Sequence, residues 1–332
     1  MQYMKIGSTD IEASVITLGA WAIGGGNWWK ATEDDLSIQT IQRALELGIN
    51  LVDTAPIYGC GHSEEIIGRA IAGHRDEYVL STKATFDWDT GVGRFWGDVD
   101  GHKVYVDHSY DSIIKDCENS LKRLGTDYID IYYAHNPAKD TEKYPVEDTV
   151  RAFMDLKKQG KIRAFGLSNA TPAQIEEYLA CGCEIDIIQR QYSMLTRGIE
   201  EDIIPLCREK GMCLHAYSPL ERGILAGTVS ADYVVPKGDA RDGQKWWAPE
   251  RLPKAVAFVN GLSDVCEQYE CTPVSLAVAF LRASGDFVNV ICGARKPHQI
   301  EADAPAADVV LTPETVADIR ARIAKLEEEC AE

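Results

Sequence analysis

Short apolar runs alternate with amphipathic, helix-patterned stretches from one end of this chain to the other, and nothing else in it constrains the fold as strongly. A brief apolar run with few polar interruptions suits a strand buried on both faces, and parallel strands need a crossover, usually helical, between them. Strands are predicted at residues 17–19, 49–53, 78–82, 128–133, 162–167, 185–189, 212–217 and 288–291. Helices are predicted at 33–47, 63–71, 110–124, 146–159, 172–179, 203–210, around 255–269 and at 273–283, with a polar-faced C-terminal helix at 315–328. The punctuation agrees: Thr32 reads as an N-cap, Gly48, Gly125 and Gly160 as helix ends, and Pro172 as a first-turn proline. Ahead of the rhythm, 4–7 and 12–15 flank Ser8-Thr9-Asp10 as a short β-hairpin. Eight such strands favour an α/β fold of the (β/α)8 TIM-barrel type with an N-terminal β-hairpin, one domain over residues 1–332. The rival, a doubly wound sheet, advertises G-x-G-x-x-G after its first strand. Gly24-Gly25-Gly26 has the wrong spacing, and no helix opens directly on it.

Three long connections break the rhythm, at 84–109, 134–145 and 218–253, and all leave the C-terminal ends of strands. In a barrel that face carries the chemistry. Four polar side chains sit at or just past strand ends: Asp53 in LVDTAPIYG, Tyr58 in the loop after it, Lys83 in YVLSTKA and His135 in YIDIYYAHNP. Each alone reads as a cap, a packing ring, a snorkelling amine or a structural imidazole. Together they suit carbonyl reduction, which needs a proton at oxygen as hydride reaches carbon. A lysine ammonium would lower the phenol's pKa from about 10. Asp53 would be the counter-charge for a buried lysine. His135 would hydrogen-bond and orient the carbonyl oxygen.

The runs DTAPIYGCGHSEEIIGRA, STKA and DYIDIYYAHNP resemble the aldo-keto reductases, from about the first strand to Gln299. GHSEEIIG, GLSNATPAQIE and GARKPHQIE are similar to the bacterial branch that includes the inositol-utilisation and general-stress members. The resemblance implies a catalytic set of Asp53, Tyr58, Lys83 and His135, and a nicotinamide cofactor. It implies that Ser168, Asn169 and Gln189 hold the carboxamide and that Tyr217 stacks under the ring. The loop at 218–223, with Ser218, Leu220 and Arg222, matches the segment that folds over the pyrophosphate. Gly293, Ala294, Arg295 and Gln299 match the adenosine end, where a helix N-terminus suits a phosphate and Arg295 a 2′-phosphate. Many members carry lysine at the place of Gly293 and asparagine at that of Asp303, which weakens the case for the 2′-phosphate. NADP(H) is expected, with NAD(H) as the alternative.

Substrate is read from the tryptophans. Trp21, Trp28, Trp29, Trp88, Trp96, Trp246 and Trp247 all fall in connections leaving strand C-termini, none inside a helix. Trp21, Trp28 and Trp88 are expected to wall the pocket, where flat rings suit the C–H faces of a sugar, cyclitol or glycoside. His62, Asp87 and Arg94 lie in the same loops as candidates for binding hydroxyls.

Composition excludes other classes. The net charge of −18 repels phosphate backbones and anionic membranes, so neither is an expected partner. The ten cysteines include one C-x-C, Cys181 and Cys183, but no second pair at zinc-ligand spacing, so no metal is expected and the thiols read as reduced, in a cytoplasmic protein. The start, MQYMKIGSTD, does not read as a signal peptide, and no run approaches the length of a membrane span. A metal-dependent isomerase or lyase would need Asp, Glu and His ligands on successive strands, which are not found. Three readings remain: an NADP(H)-dependent reductase, an NAD-dependent sugar or inositol dehydrogenase, and a non-catalytic cofactor-sensing barrel. Natural substrate, direction and oligomeric state, a homo-oligomer included, stay open.

Overall fold

The computed structural model describes residues 1–331. Strands β1 (Tyr3–Lys5) and β2 (Glu12–Ser14) pair antiparallel as the N-terminal hairpin. The chain then enters β3 (Ile16–Gly19), turns through the one-turn helix α1 (Gly26–Trp29) and runs up α2 (Asp34–Glu46). Strand β4 (Leu51–Asp53), α3 (His62–Ala70) and β5 (Val79–Ala84) follow. The connection after β5 folds into three short antiparallel strands, β6 (Phe86–Asp87), β7 (Arg94–Val99) and β8 (His102–Val106). The order resumes with α4 (Tyr110–Leu124), β9 (Ile129–Ala134), α5 (Val146–Lys158), β10 (Ile162–Ser168) and α6 (Pro172–Ala180). It ends with β11 (Ile187–Gln191), α7 (Ile203–Lys210), β12 (Cys213–Tyr217), α8 (Leu252–Asn260), α9 (Ser263–Gln268), α10 (Pro273–Arg282), β13 (Val288–Gly293), α11 (Pro297–Asp303) and α12 (Pro313–Glu329).

Strands β3, β4, β5, β9, β10, β11, β12 and β13 close into a parallel barrel, the (β/α)8 architecture the alternation implies. The register Gly19↔Asp53, Asp53↔Ser81, Lys83↔Tyr133 brings the strand ends carrying Asp53 and Lys83 side by side. Outside the barrel, helix faces bury against strand faces, as where Phe153 of α5 meets Phe165 of β10 at 4.4 Å. At the other end, Ile6, Ile11 and Ala13 of the hairpin pack with Leu51, Val79, Ile131, Ala164, Ile187 and Cys213, residues near the starts of the barrel strands. The hairpin is therefore the floor of the barrel.

Helix ends follow local chemistry. Ser109, Thr171, Thr272 and Thr312 each accept a first-turn amide, Thr171 within a reciprocal capping box with Gln174. Gly125 closes α4 at φ 65°. Thr32 departs from expectation: Glu33 holds the N-cap position of α2 without a side-chain bond, and the Thr32 hydroxyl donates to Ile23 O instead. The region expected as one helical stretch at 255–269 is two helices, α8 and α9. The ten cysteines are free, and the Cys181 and Cys183 thiols donate to the carbonyls of Glu177 and Tyr178. Among the described residues no helix is long and apolar enough to cross a membrane.

Candidate active site

The barrel register sets Lys83 against Asp53. Its ammonium, fully buried, donates to both carboxylate oxygens, at 2.8 and 3.0 Å, and to Thr54 O at 2.7 Å. The two carboxylate oxygens lie close enough together to share one N–H, and Thr54 O takes a second, so one donor of the ammonium is left over. Burial pushes the Lys83 pKa down, and the adjoining carboxylate opposes that shift. Burial pushes the Asp53 carboxyl up, but Lys83, His215 and hydrogen bonds from Lys83 and Ser81 outweigh it, so Asp53 lies below its ordinary value.

Tyr58 sits in the loop after β4, half-buried, with its ring centre 5.1 Å from the Lys83 ammonium. Among the described residues its hydroxyl hydrogen-bonds nothing and is not sealed from solvent. Its pKa moves opposite to the sequence expectation. Burial, then Asp53 and Tyr217, hold the phenol well above the ordinary range. The Asp53 carboxylate, ion-paired to Lys83 at 2.8 Å, sets a negative charge beside the phenol that offsets the ammonium. Glycine fixes the loop: a Cβ on Gly24 would lie 2.6 Å from the Tyr58 carbonyl carbon. Gly24, first of the glycine run after β3, thus serves close backbone approach to the tyrosine.

His135, one residue past β9, lies edge-on to Phe86 at 5.0 Å and to Tyr58 at 6.2 Å. Burial and the Lys83 charge lower its pKa to about 3, so the ring is neutral at pH 7. Its Nδ1 is buried without a partner. Its carbonyl accepts from Asn169 Nδ2 at 3.0 Å.

Asn169, held at φ 62°, joins the tetrad to the expected cofactor residues. Its Nδ2 also donates to Ser168 Oγ, and its Oδ1 accepts from the Tyr217 hydroxyl at 2.8 Å. Gln189 Nε2 donates to Asp53 Oδ1 at 2.9 Å, and its Oε1 lies 3.5 Å from Ser168 Oγ. Amide donors and acceptors on Asn169 and Gln189, a hydroxyl and a positioned aromatic ring converge beside the tetrad. That set fits a planar carboxamide-bearing ring.

The adenosine-end candidates are less free than expected. The amides of Arg295 and Lys296, at the start of α11, both donate to Gln299 Oε1, at 3.0 and 3.1 Å. Arg295 Nη1 donates to Trp29 O. Gly293 is exposed and Ala294 buried. Asp303 is buried at the end of α11, and burial alone raises its carboxyl to about 7. In the loop after β12, Ser218 and Arg222 take left-handed backbone angles and Leu220 is half-buried. Arg222 donates to Gln244 Oε1, with its guanidinium 5.9 Å from the Trp21 ring.

The tryptophans divide. Trp21 lies 6.1 Å from the Tyr58 ring and 5.8 Å from Trp28, and Trp96 extends the series, 6.5 Å from Trp28 and 5.3 Å from Phe86. The Trp88 ring meets the Arg123 guanidinium at 5.5 Å, and no ring contact joins it to Tyr58. Trp246 and Trp247 are buried, each donating its indole N–H to a carbonyl, so they fill the long loop rather than a pocket. Several lie within short elements after all: Trp28 and Trp29 in α1, Trp96 on β7, Trp246 and Trp247 in a 3-10 turn. His62 is bound to Asp34 and Asp87 accepts from the amides of Asp89 and Thr90, so neither side chain stands free for substrate hydroxyls.

One group went unread in the sequence. His215, fully buried on β12, accepts from the Tyr133 hydroxyl at 2.9 Å and from Gln189 Nε2 at 3.3 Å, and donates to Thr17 Oγ1 at 3.0 Å. Thr17 donates in turn to Asn289 Oδ1. A polar column therefore runs through the barrel interior up to Asp53. Its signal was a polar residue within each of three apolar strands, VITLG, CLHAY and VNVICG.

Residues 15–324 match the Aldo/keto reductase family. The chain is 39% identical over 314 residues to the NADH-specific methylglyoxal reductase of Escherichia coli K12, covering 94% of this chain and 95% of that protein. It is 36% identical to the aldo-keto reductase YhdN of Bacillus subtilis, covering 96% and 92%. Among solved structures, the glycerol dehydrogenase AKR11B4 of Gluconobacter oxydans superposes with a TM-score of 0.85 at 34% identity, over 96% of this chain and 95% of that one. On sequence match, barrel and strand-end constellation alike, this chain belongs to the aldo/keto reductase family.

Proposed function

We propose that this protein catalyses reversible hydride transfer between a nicotinamide cofactor and a carbonyl or alcohol carbon, with Tyr58 as general acid in reduction and general base in oxidation. The observation that carries the reading is the Tyr58 ring centred 5.1 Å from the ammonium of a buried Lys83–Asp53 pair, at the end of the barrel where β4 and β5 finish. The cofactor, when bound, supplies or accepts the hydride. Tyr58, kept protonated by its surroundings, donates its proton to the developing alkoxide. Lys83, fixed by Asp53 and Thr54, stabilises the phenolate left behind. Neutral His135 donates a hydrogen bond that orients the carbonyl oxygen. Asn169, Ser168 and Gln189 hold the carboxamide, and Tyr217 supports the ring.

Trp21 and Trp28, close to Tyr58, suit the C–H faces of a small polyhydroxylated carbonyl compound or its alcohol, such as a sugar, cyclitol or glycoside. The names of the relatives, a methylglyoxal reductase and a glycerol dehydrogenase, support small polar substrates. Arg295 is the residue for a 2′-phosphate and supports NADP(H). A specific observation favours NAD(H) as the second reading: Asp303 is a buried carboxyl, and the Arg295 guanidinium is engaged by Trp29 O. The name of the Escherichia coli relative agrees with that reading. Ten free cysteines suit the reducing cytoplasm.

The experiment is Tyr58→Phe, assayed on simple aldehydes with NADPH and NADH in parallel. Turnover is expected to fall by about a thousandfold, at the scale of a lost acid catalyst, while cofactor still quenches tryptophan fluorescence. Near-normal turnover overturns the acid role; quenching by cofactor with no turnover in the unaltered protein points to a sensing barrel.

A further inference from the structure

Near the strand ends that carry the tetrad lies a cavity of about 300 Å³, between β7 and the loop that follows β9. It opens one residue from His135: Asn136 and Pro137 line it. Trp96 is its apolar wall, and Trp96 reaches His135 across a single ring, Phe86. Around it stand Arg94, Lys139 and Lys143. Among the described residues none of the three has a carboxylate within ion-pair distance, in a chain whose 52 acidic residues outnumber 34 lysines and arginines. The acid on the same wall is Asp140, whose Oδ1 accepts the Lys143 backbone amide. The buried Asp107 carboxylate also acts on Lys143, so three cations face two acids and the cavity keeps a positive excess.

Behind the cations the wall is built. His108, 4% exposed, donates from Nε2 to Asn136 O at 2.7 Å, and burial lowers its pKa, so it adds no charge. Tyr144, 8% exposed, packs 5.7 Å from the His108 ring, and its buried hydroxyl has no hydrogen-bond partner among the described residues. Unpaired cations round a concave site with an apolar wall recognise an oxyanion. An enzyme carrying −18 overall repels anionic substrates at a distance, so such a substrate needs a local positive site.

We propose that this cavity holds an anionic group, carboxylate or phosphate, carried by the substrate itself. The substrates are then small aldehydes or ketones with an acidic tail, sugar acids and sugar phosphates included. The inference rests on the hydride-transfer reading and narrows its substrate class.

The test compares kcat/KM for glyceraldehyde 3-phosphate against glyceraldehyde, and 4-carboxybenzaldehyde against benzaldehyde, at low ionic strength. The charged member of each pair is expected to lead by about tenfold, a modest effect because the cations are partly solvated, and to lose that lead in salt. Lys139→Gln/Lys143→Gln should abolish the lead, with the uncharged aldehydes reporting the hydride-transfer reaction itself. Equal kcat/KM within both pairs, or a lead that survives the double substitution, overturns the proposal. Inorganic phosphate that alters turnover of the uncharged aldehydes, and does so only while both lysines are present, assigns the cavity to a free anion and also overturns it. Calorimetric titration with glycerol 3-phosphate and with glycerol needs no turnover, so it separates this proposal from the hydride-transfer reading. Tighter binding of the phosphate, lost in the double variant, supports the site; equal binding by both proteins refutes it.

Discussion

Gln189 Nε2 stands 2.9 Å from Asp53 Oδ1, so the side chain expected to hold the carboxamide also steadies the carboxylate that neutralises Lys83. The expected cofactor seat and the proposed proton-transfer residues share one hydrogen bond.

Gln189→Leu should therefore disturb both. Its loss leaves an Asp53 oxygen short of one donor in a buried place, a cost of about 1–3 kcal/mol in urea unfolding. The KM for cofactor is expected to rise about tenfold in steady-state assays. A variant with weakened cofactor binding but unaltered stability would show that the two are independent.

The pH profile follows from two groups. Tyr58 lies well above its ordinary value and His135 is lowered to about 3. Across neutral pH the phenol stays protonated and the imidazole uncharged. The kcat/KM for carbonyl reduction should run level from about pH 5 to about pH 9, with neither group giving an inflection. A break near pH 6.5 that disappears in His135→Gln would mean the imidazole titrates in the working range.

Gly24→Ala forces a Cβ to 2.6 Å from the Tyr58 carbonyl carbon, where backbone has to give. The strain should cost about 1–3 kcal/mol, and kcat should fall more than tenfold because the phenol moves with its loop. Circular dichroism melting and turnover read the two effects separately. Full activity in a destabilised variant would place the strain elsewhere.

Asp303 supplies a prediction with a definite sign. Its folded pKa, about 7, lies above the value of an unfolded aspartate, about 3.9. The group therefore favours the folded state most below that unfolded value, and the advantage is lost as pH rises through 7. Asp303→Asn should be more stable than the unaltered protein at pH 8, by an amount on the order of a few kcal/mol, with the gap clearly smaller at pH 5 and closed only below about pH 4. The NADPH to NADH ratio of kcat/KM should rise in the same variant. Urea unfolding at the two pH values, and the paired cofactor assay, check both halves.

The barrel was legible because its signals are local. Apolar strands, proline starts and glycine ends lie within a few residues of one another, and the eight strands closed as the alternation implied. What the sequence hid depended on distant partners. Lys83 looked like a free charge beside Tyr58, but its ammonium is ion-paired with Asp53 at 2.8 Å. Arg295 looked wholly free, but Trp29 O takes one of its five donors, and Trp246 and Trp247, though in a loop leaving a strand end, give their indole N–H groups to buried carbonyls. One local signal went unused. Asp100-Gly101, with φ of 49° and 83°, is the tight turn of the β7–β8 hairpin. The bulge between Phe95 and Gly97 interrupts the alternation that would have marked the strand before it.

The hairpin under the barrel closes one end of its packed interior. Ile6 and Ile11 stopper the end at which the strands begin, so the polar file from Asn289 through His215 to Gln189 has its outlet at the rim where Tyr58 stands. Any proton passed along that hydrogen-bonded file can leave it only toward the rim where the substrate is expected.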